Sequence, residues 1–133
     1  MNPHELPQDV EAFIRGHIRS VLQLEVLLLL HKVPERWWTP EEVDRELRSA
    51  VATTRQVLHD LCNAGLIQVQ GEAAVSFRFA PMAEQDRAVV NALSERSRTH
   101  FHLVVETIYT PGRASLQDFA DAFTFKKGGH DDG

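Results

Sequence analysis

The chain has 133 residues, of which 43% are hydrophobic and 25% are charged, so it is predicted to form one globular domain and not a disordered segment. Its net charge of −5 and pI of about 5.8 argue against a protein whose whole surface attracts nucleic acid, but they leave room for a local basic face. A single cysteine excludes an internal disulfide, and the sequence shows neither a leader peptide nor an apolar run long enough to span a bilayer. We therefore expect a cytoplasmic protein that makes no membrane contact.

The N-terminal segment, residues 8–33, is predicted to be one long helix that ends at Pro34. Its apolar residues follow helical spacing, and residues 24–30 are apolar on nearly every side, so this helix is either central in the core or shared with a partner. The two tryptophans that follow are interpreted as one core residue and one residue that covers a helix end. The alternative is that Trp37 and Trp38 form a platform for ligand stacking.

Residues 39–81 are predicted to form a helix, a tight turn, a second helix and a β-hairpin, in that order. Thr39 is a good N-cap for the first helix, Pro40 suits the first helical position, and Glu42 completes a capping box. These signals define the start of the helix without reference to its packing.

The second helix of this segment is predicted to span residues 51–64. Either Ser49 or Thr53 is expected to cap its start, and Gly65 ends it in the left-handed position. Alternation with period two then predicts a hairpin over residues 66–79.

This order of elements resembles the winged helix-turn-helix regulators, the broad group that includes the MarR-, ArsR- and PadR-type proteins. The run from Leu58 to Gln70, LHDLCNAGLIQVQ, resembles the end of a recognition helix that passes into the first strand of a wing. The resemblance implies a mainly α fold with a small β-hairpin wing, in which long N- and C-terminal helices flank the winged helix-turn-helix core of residues 39–81. It also implies, as a family tendency, a transcriptional regulator that binds duplex DNA.

The helix at residues 51–64 is the candidate recognition helix. Thr, Arg and Gln side chains near the start of such a helix reach base edges or phosphates in the major groove, and nearby arginines hold the DNA backbone. The predicted DNA-binding residues are Arg45, Arg48, Ser49, Thr53, Thr54, Arg55, Gln56, His59 and Arg78.

The competing hypothesis is a winged-helix protein–protein interaction module without DNA binding. From Thr39 to Ala80 the chain carries four arginines against six acidic residues, and this net charge of −2 is unfavourable for phosphate binding. The wing tip has Glu72 where DNA-binding relatives often place Arg or Lys. A third hypothesis extends the regulator with an effector pocket between the first helix, one of the tryptophans and the helix that carries Phe101.

Residues 83–125 are predicted to be helical and to serve for packing or dimerisation. An apolar stripe with heptad-like spacing runs along residues 83–109, and winged regulators commonly form homodimers through flanking helices, which places two recognition helices against a two-fold DNA site. A short amphipathic helix at residues 116–123 is expected to dock on the body, or else to offer a protein partner an apolar surface. Residues 126–133 are predicted to be a mobile tail. The predicted dimerisation residues are Val90, Leu93, Phe101, Val104 and Ile108.

Motifs for catalysis or cofactor binding are absent from the sequence. It contains no glycine-rich phosphate loop and no nucleophile elbow. His59 and Cys62 are three residues apart on a helix, but a zinc site needs further ligands and none stands at a recognisable spacing. The sequence therefore predicts a protein that is not an enzyme and that binds neither a metal nor a cofactor.

Overall fold

The computed structural model describes residues 6–109, and the helix predicted at residues 116–123 and the tail at 126–133 lie outside this range. Six helices and one antiparallel hairpin follow one another along the described chain. Their bounds are α1 Gln8–His17, α2 Val21–Lys32, α3 Pro40–Leu47, α4 Val51–Asn63, β1 Ile67–Gln70, β2 Ser76–Phe79, α5 Glu84–Thr99 and α6 Phe101–Tyr109.

Helix α2 is the centre of the core. Leu24, Val26, Leu27 and Leu30 are fully buried, and the helix packs against α3, α4 and β2. This burial is achieved within a single chain, so a central position accounts for the four buried residues of the apolar run. On the other side of the molecule, α1 packs against α5 and α6.

The prediction of one continuous helix over residues 8–33 is wrong, because the chain breaks between α1 and α2. The Ser20 hydroxyl accepts a hydrogen bond from the Gln23 backbone N–H at 3.1 Å, and the Gln23 side chain accepts one from the Arg19 N–H at 2.8 Å. These bonds satisfy backbone donors at the start of a new helix, as in a capping box. Ser20 and Gln23 have the Ser-x-x-Gln spacing of that motif, which is the sequence signal that the prediction missed.

The predicted continuous helix over residues 83–109 is also interrupted, at His100. This residue leaves helical geometry, with φ −136° and ψ 50°, and its carbonyl accepts the first backbone bonds of α6 from Leu103 and Val104. The change of direction brings α6 onto α1. There the Tyr109 hydroxyl accepts a hydrogen bond from the Val21 N–H, at 3.2 Å, at the start of α2.

The hairpin pairs β1 with β2 in antiparallel register, from Ile67 opposite Phe79 to Gln70 opposite Ser76. Gly71 turns the chain with φ +95°, and a Cβ at this position would lie 2.2 Å from the carbonyl oxygen of residue 74. Only glycine fits this turn without moving the backbone.

Trp38 adds a second pairing, one residue long, to strand β2 of the hairpin. Its backbone N–H donates to the Phe77 carbonyl and its carbonyl accepts from the Phe77 N–H, both at 2.7 Å. The Trp38 side chain is buried, so the interpretation of one core tryptophan is confirmed, and Trp37 is half-buried. Within residues 6–109, no helix has the length and apolar character needed to cross a membrane.

Candidate nucleic-acid interface

Helix α3 begins at the predicted capping box. The Thr39 hydroxyl accepts from the Glu42 N–H at 3.1 Å, and the Glu42 carboxylate accepts from the Thr39 N–H at 3.0 Å. The backbone hydrogen bond from Thr39 lowers the pKa of Glu42, and the Arg36 guanidinium contributes in the same direction. The start of α3 is therefore held by its own residues.

The turn between α3 and α4 is made by a residue in the left-handed region. Arg48 has φ 58° and ψ 46°, and its N–H donates to the Asp44 carbonyl, as does the N–H of Ser49. A residue with a Cβ pays about 1 kcal/mol for this conformation. Its side chain is exposed at the end of α3, as is that of Arg45.

Two side-chain hydroxyls form a hydrogen bond on the inward side of the same turn. The Ser49 and Thr54 oxygens lie 2.8 Å apart, and Thr54 is fully buried. Thr54 therefore has no surface to offer DNA, and its assignment as a DNA contact is corrected to a structural role. The expected cap is corrected as well, because α4 begins after Ala50 without a side-chain cap, and Ser49 bonds to Thr54 instead.

The face of α4 that points away from the core carries polar side chains. Its inward side is formed by Val57, Leu58 and Leu61, which are buried. The exposed positions are Ala52, Thr53, Arg55, Gln56, His59, Asp60 and Asn63. This division follows from helical periodicity, and the first six positions are those expected from the sequence.

The two longest side chains on this face are engaged by acidic neighbours. The Arg55 Nη2 lies 2.7 Å from the Glu41 Oε2 on α3, and the Gln56 Nε2 donates to the Asp60 carboxylate at 3.0 Å. The Arg55 and Glu41 side chains are 54% and 52% exposed, so the pair lies at the surface. Sequence reasoning missed this pair, because its members are 14 residues apart on different helices.

Arginines at the wing stack on the two tryptophans. The guanidinium of Arg78 lies 4.6 Å from the centre of the Trp37 ring, and that of Arg36 lies 3.6 Å from the centre of the Trp38 ring. Such cation–π contacts restrict the two side chains. The Arg36 Nη2 also lies 3.7 Å from the Glu42 Oε1. Arg36 was not among the predicted residues, although its place two residues before Trp38 was a usable signal. The wing tip with Glu72 is exposed.

Most of the predicted dimerisation residues are buried within a single copy of the chain. Val90, Leu93 and Val104 are fully buried in the core of one copy. Phe101 is 45% exposed, and Ile108 is half-buried against the core. A surface for a second copy on α6 therefore depends on Phe101 and its exposed neighbours.

An open groove of about 580 Å³ lies between α2 and α5. Two of its polar side chains are occupied, since His31 is hydrogen-bonded to Asn91 at 2.7 Å and Arg98 to Glu95 at 2.6 Å. Neither tryptophan lines this groove, so it is not the predicted effector pocket. Its lining residues are Leu28, His31, Lys32, Ser94, Glu95, Ser97, Arg98 and Phe101.

Among residues 6–109, no three His, Cys, Asp or Glu side chains come together in a way that could hold an ion. Cys62 is half-buried, and burial raises the pKa of its thiol, which disfavours the reactive thiolate.

Comparison with solved structures identifies the fold. The transcriptional regulator Tm0710 from Thermotoga maritima superposes with a TM-score of 0.51 and 16% identity, over 90% of this chain and 81% of that chain. RV1404 from Mycobacterium tuberculosis superposes with a TM-score of 0.50 and 20% identity, over 94% and 86% of the two chains. A MarR family protein from Bacillus stearothermophilus superposes with a TM-score of 0.49 and 15% identity, over 91% of this chain and 81% of that chain.

No protein-family model and no curated protein matches the sequence. At these identities the first two superpositions establish the fold, and the predicted fold class is confirmed. It is a mainly α, winged helix-turn-helix architecture with flanking helices.

Proposed function

We propose that this protein is a transcriptional regulator that reads duplex DNA with α4 and acts as a homodimer. The observation that carries the proposal is the exposed start of α4. Thr53, Arg55 and Gln56 occupy it within the first half of the helix, and His59 extends the same face by one turn. In a helix-turn-helix, residues near the start of the second helix are those that meet base edges.

Cationic side chains frame this helix. Arg45 and Arg48 are exposed at the end of α3, and Arg78 on β2 is held against the Trp37 ring. We assign these three residues to the DNA backbone, because phosphate contacts fix the orientation of a recognition helix without reading sequence. A local basic face of this kind is compatible with an acidic protein.

Dimerisation is proposed through α6. Phe101 and Tyr109 expose 45% and 61% of their surfaces there, and Ile108 lies between them in the sequence, half-buried. A dimer presents two copies of α4 to half-sites about one helical turn, roughly 34 Å, apart. Molar mass in solution, measured by light scattering, tests this part, and Phe101→Glu is expected to give a folded monomer.

DNA binding is tested by fluorescence anisotropy. A labelled duplex from the region upstream of the protein's own gene is titrated at low salt and again as salt rises, with an unrelated duplex beside it. We expect binding that weakens steeply with salt and remains tighter for the upstream duplex. Arg55→Ala is expected to weaken this binding by about fivefold to more than a hundredfold, the range for one good base contact.

A matched control is available on α5. Arg98 forms an exposed ion pair with Glu95 at 2.6 Å, as Arg55 does with Glu41, so Arg98→Ala removes the same charge and the same kind of pair outside the helix-turn-helix. It is expected to leave DNA affinity within about twofold of the wild type. Equal losses in both variants would show that only net charge matters and would remove α4 from the interface.

A second candidate is a protein–protein interaction module on the same fold. The net charge of −2 over residues 39–80, the acidic wing tip and the pairing of Arg55 with Glu41 favour it. Absence of duplex binding at low salt, by protein that is folded, would favour this candidate over the regulator.

A further inference from the structure

We propose that Glu41 masks Arg55, so that the recognition helix engages DNA by exchanging an internal carboxylate for a group on the duplex. This inference rests on the proposed function, since it concerns the regulation of the same site. It assigns a role to Glu41, an acidic residue of α3 that is not among the predicted DNA-binding residues.

The geometry joins the two helices of the motif at their surface. The Arg55 Nη2 lies 2.7 Å from the Glu41 Oε2, so the guanidinium is held toward α3 before any DNA arrives. Both side chains are about half exposed, and a pair this exposed is stabilised only weakly, by up to about fivefold in its equilibrium constant. Such a pair restrains Arg55 and yet is easily displaced by a better acceptor.

The mask acts unequally on different DNA groups. A phosphate has to compete with the Glu41 carboxylate for one guanidinium and is repelled by it. A guanine edge offers two acceptors, O6 and N7, in a bidentate geometry that a single carboxylate oxygen does not match. Because any duplex supplies phosphates and only the correct one supplies the base edge, Glu41 lowers the affinity for unrelated DNA more than the affinity for the target.

A matched acid on the same helix separates masking from general charge. Glu46 is exposed on α3, five residues after Glu41. Five residues turn a helix by about 500°, so Glu46 projects roughly 140° away from Glu41. Glu41→Gln and Glu46→Gln remove the same charge from the same helix, but only the first removes the carboxylate that holds Arg55.

The test is a double-mutant cycle measured by anisotropy on the upstream and unrelated duplexes. Glu41→Gln is expected to raise affinity for the unrelated duplex by up to about fivefold, and to raise affinity for the upstream duplex less. In the Arg55→Ala background this gain should fall to the level of Glu46→Gln. Nuclear magnetic resonance gives a second readout without DNA, since the guanidinium N–H signals of Arg55 should exchange faster with water in Glu41→Gln.

The possible outcomes distinguish the masking of Arg55 by Glu41 from DNA binding itself. Equal gains from Glu41→Gln with and without Arg55, or a loss of affinity in Glu41→Gln, would overturn the mask while leaving DNA binding intact. Binding that appears only in Glu41→Gln would support it. If neither the wild type nor Glu41→Gln binds any duplex, the proposed function fails and the mask fails with it.

Discussion

The hydroxyl oxygens of Ser49 and Thr54 lie 2.8 Å apart inside the turn that joins α3 to α4. Thr54 is fully buried and Ser49 is half-buried, so this bond ties the turn after α3 to the first turn of α4 on the inward side. Thr54, whose side chain is of a type that often contacts DNA, therefore has a structural role in this fold.

Thr54→Val is expected to lower the free energy of unfolding by about 1 kcal/mol, because it leaves the Ser49 hydroxyl without its partner in a partly buried site. Urea denaturation measures this loss. Ser49→Ala combined with Thr54→Val should cost less than the sum of the two single changes, since no hydroxyl is then left unpaired. Additive losses would show that the two groups do not depend on each other.

Arg48→Gly separates backbone strain from charge at the same turn. Glycine adopts the observed φ of 58° without a Cβ clash, so the free energy of unfolding should stay unchanged or rise by up to about 1 kcal/mol. DNA affinity should fall because a proposed phosphate contact is lost. Arg48→Lys is the control, since it keeps both the charge and the strain and should bind nearly as the wild type does. A clear loss of stability in Arg48→Gly would mean that the arginine side chain itself supports the fold.

Two glycines are expected to respond to alanine with opposite signs. Gly71→Ala should destabilise the protein by more than about 1 kcal/mol, since its φ is +95° and the new Cβ would meet the residue 74 carbonyl oxygen at 2.2 Å. Gly16→Ala in α1 meets nothing within 4 Å and should stabilise by about 0.5–1 kcal/mol. Melting temperatures of the two variants measure both effects, and a shift in the same direction for both would contradict this account.

Glu42→Gln probes the pH dependence of the α3 capping box. The Thr39 backbone bond holds the pKa of Glu42 below its usual value of 4.5, so its charge stabilises the fold above that pH and the contribution is lost as pH falls through the lowered value. The stability difference between wild type and Glu42→Gln should therefore be larger at pH 7 than at pH 3. Glu46→Gln on the same helix serves as the charge control and should show a smaller difference at pH 7.

The sequence predicted those parts of the fold that local signals determine. The capping box at Thr39, the glycine at 65 and the period-two alternation of the wing each act over a few residues. The structure contains the capping box, the left-handed glycine and the hairpin, although only β2 buries alternate residues. The break at Ser20 was equally local, but the long apolar run around it favoured continuity. Periodicity reports which face of a helix is buried, and it does not report where one helix ends and another of similar character begins.

The site was predictable in outline and not in detail. Helical spacing identified the exposed face of α4 and left Thr54 off it. Thr54 was nevertheless predicted to contact DNA, because of its residue type and its place near the start of the helix, and it is fully buried. The pairing of Arg55 with Glu41 depends on the crossing of two helices, which no local pattern encodes. Arg36 was not predicted as a site residue, because its placement depends on the contact of its guanidinium with the Trp38 ring.

The hydrogen bond from the Val21 N–H to the Tyr109 hydroxyl joins residues 88 positions apart. Helix α2 begins at this bond and continues for 12 residues, about 18 Å, into contact with α3, α4 and β2. The same helix therefore contacts the end of α6 at its first residue and the elements of the helix-turn-helix and the wing along its length. A single element thus joins the C-terminal helices to the winged core.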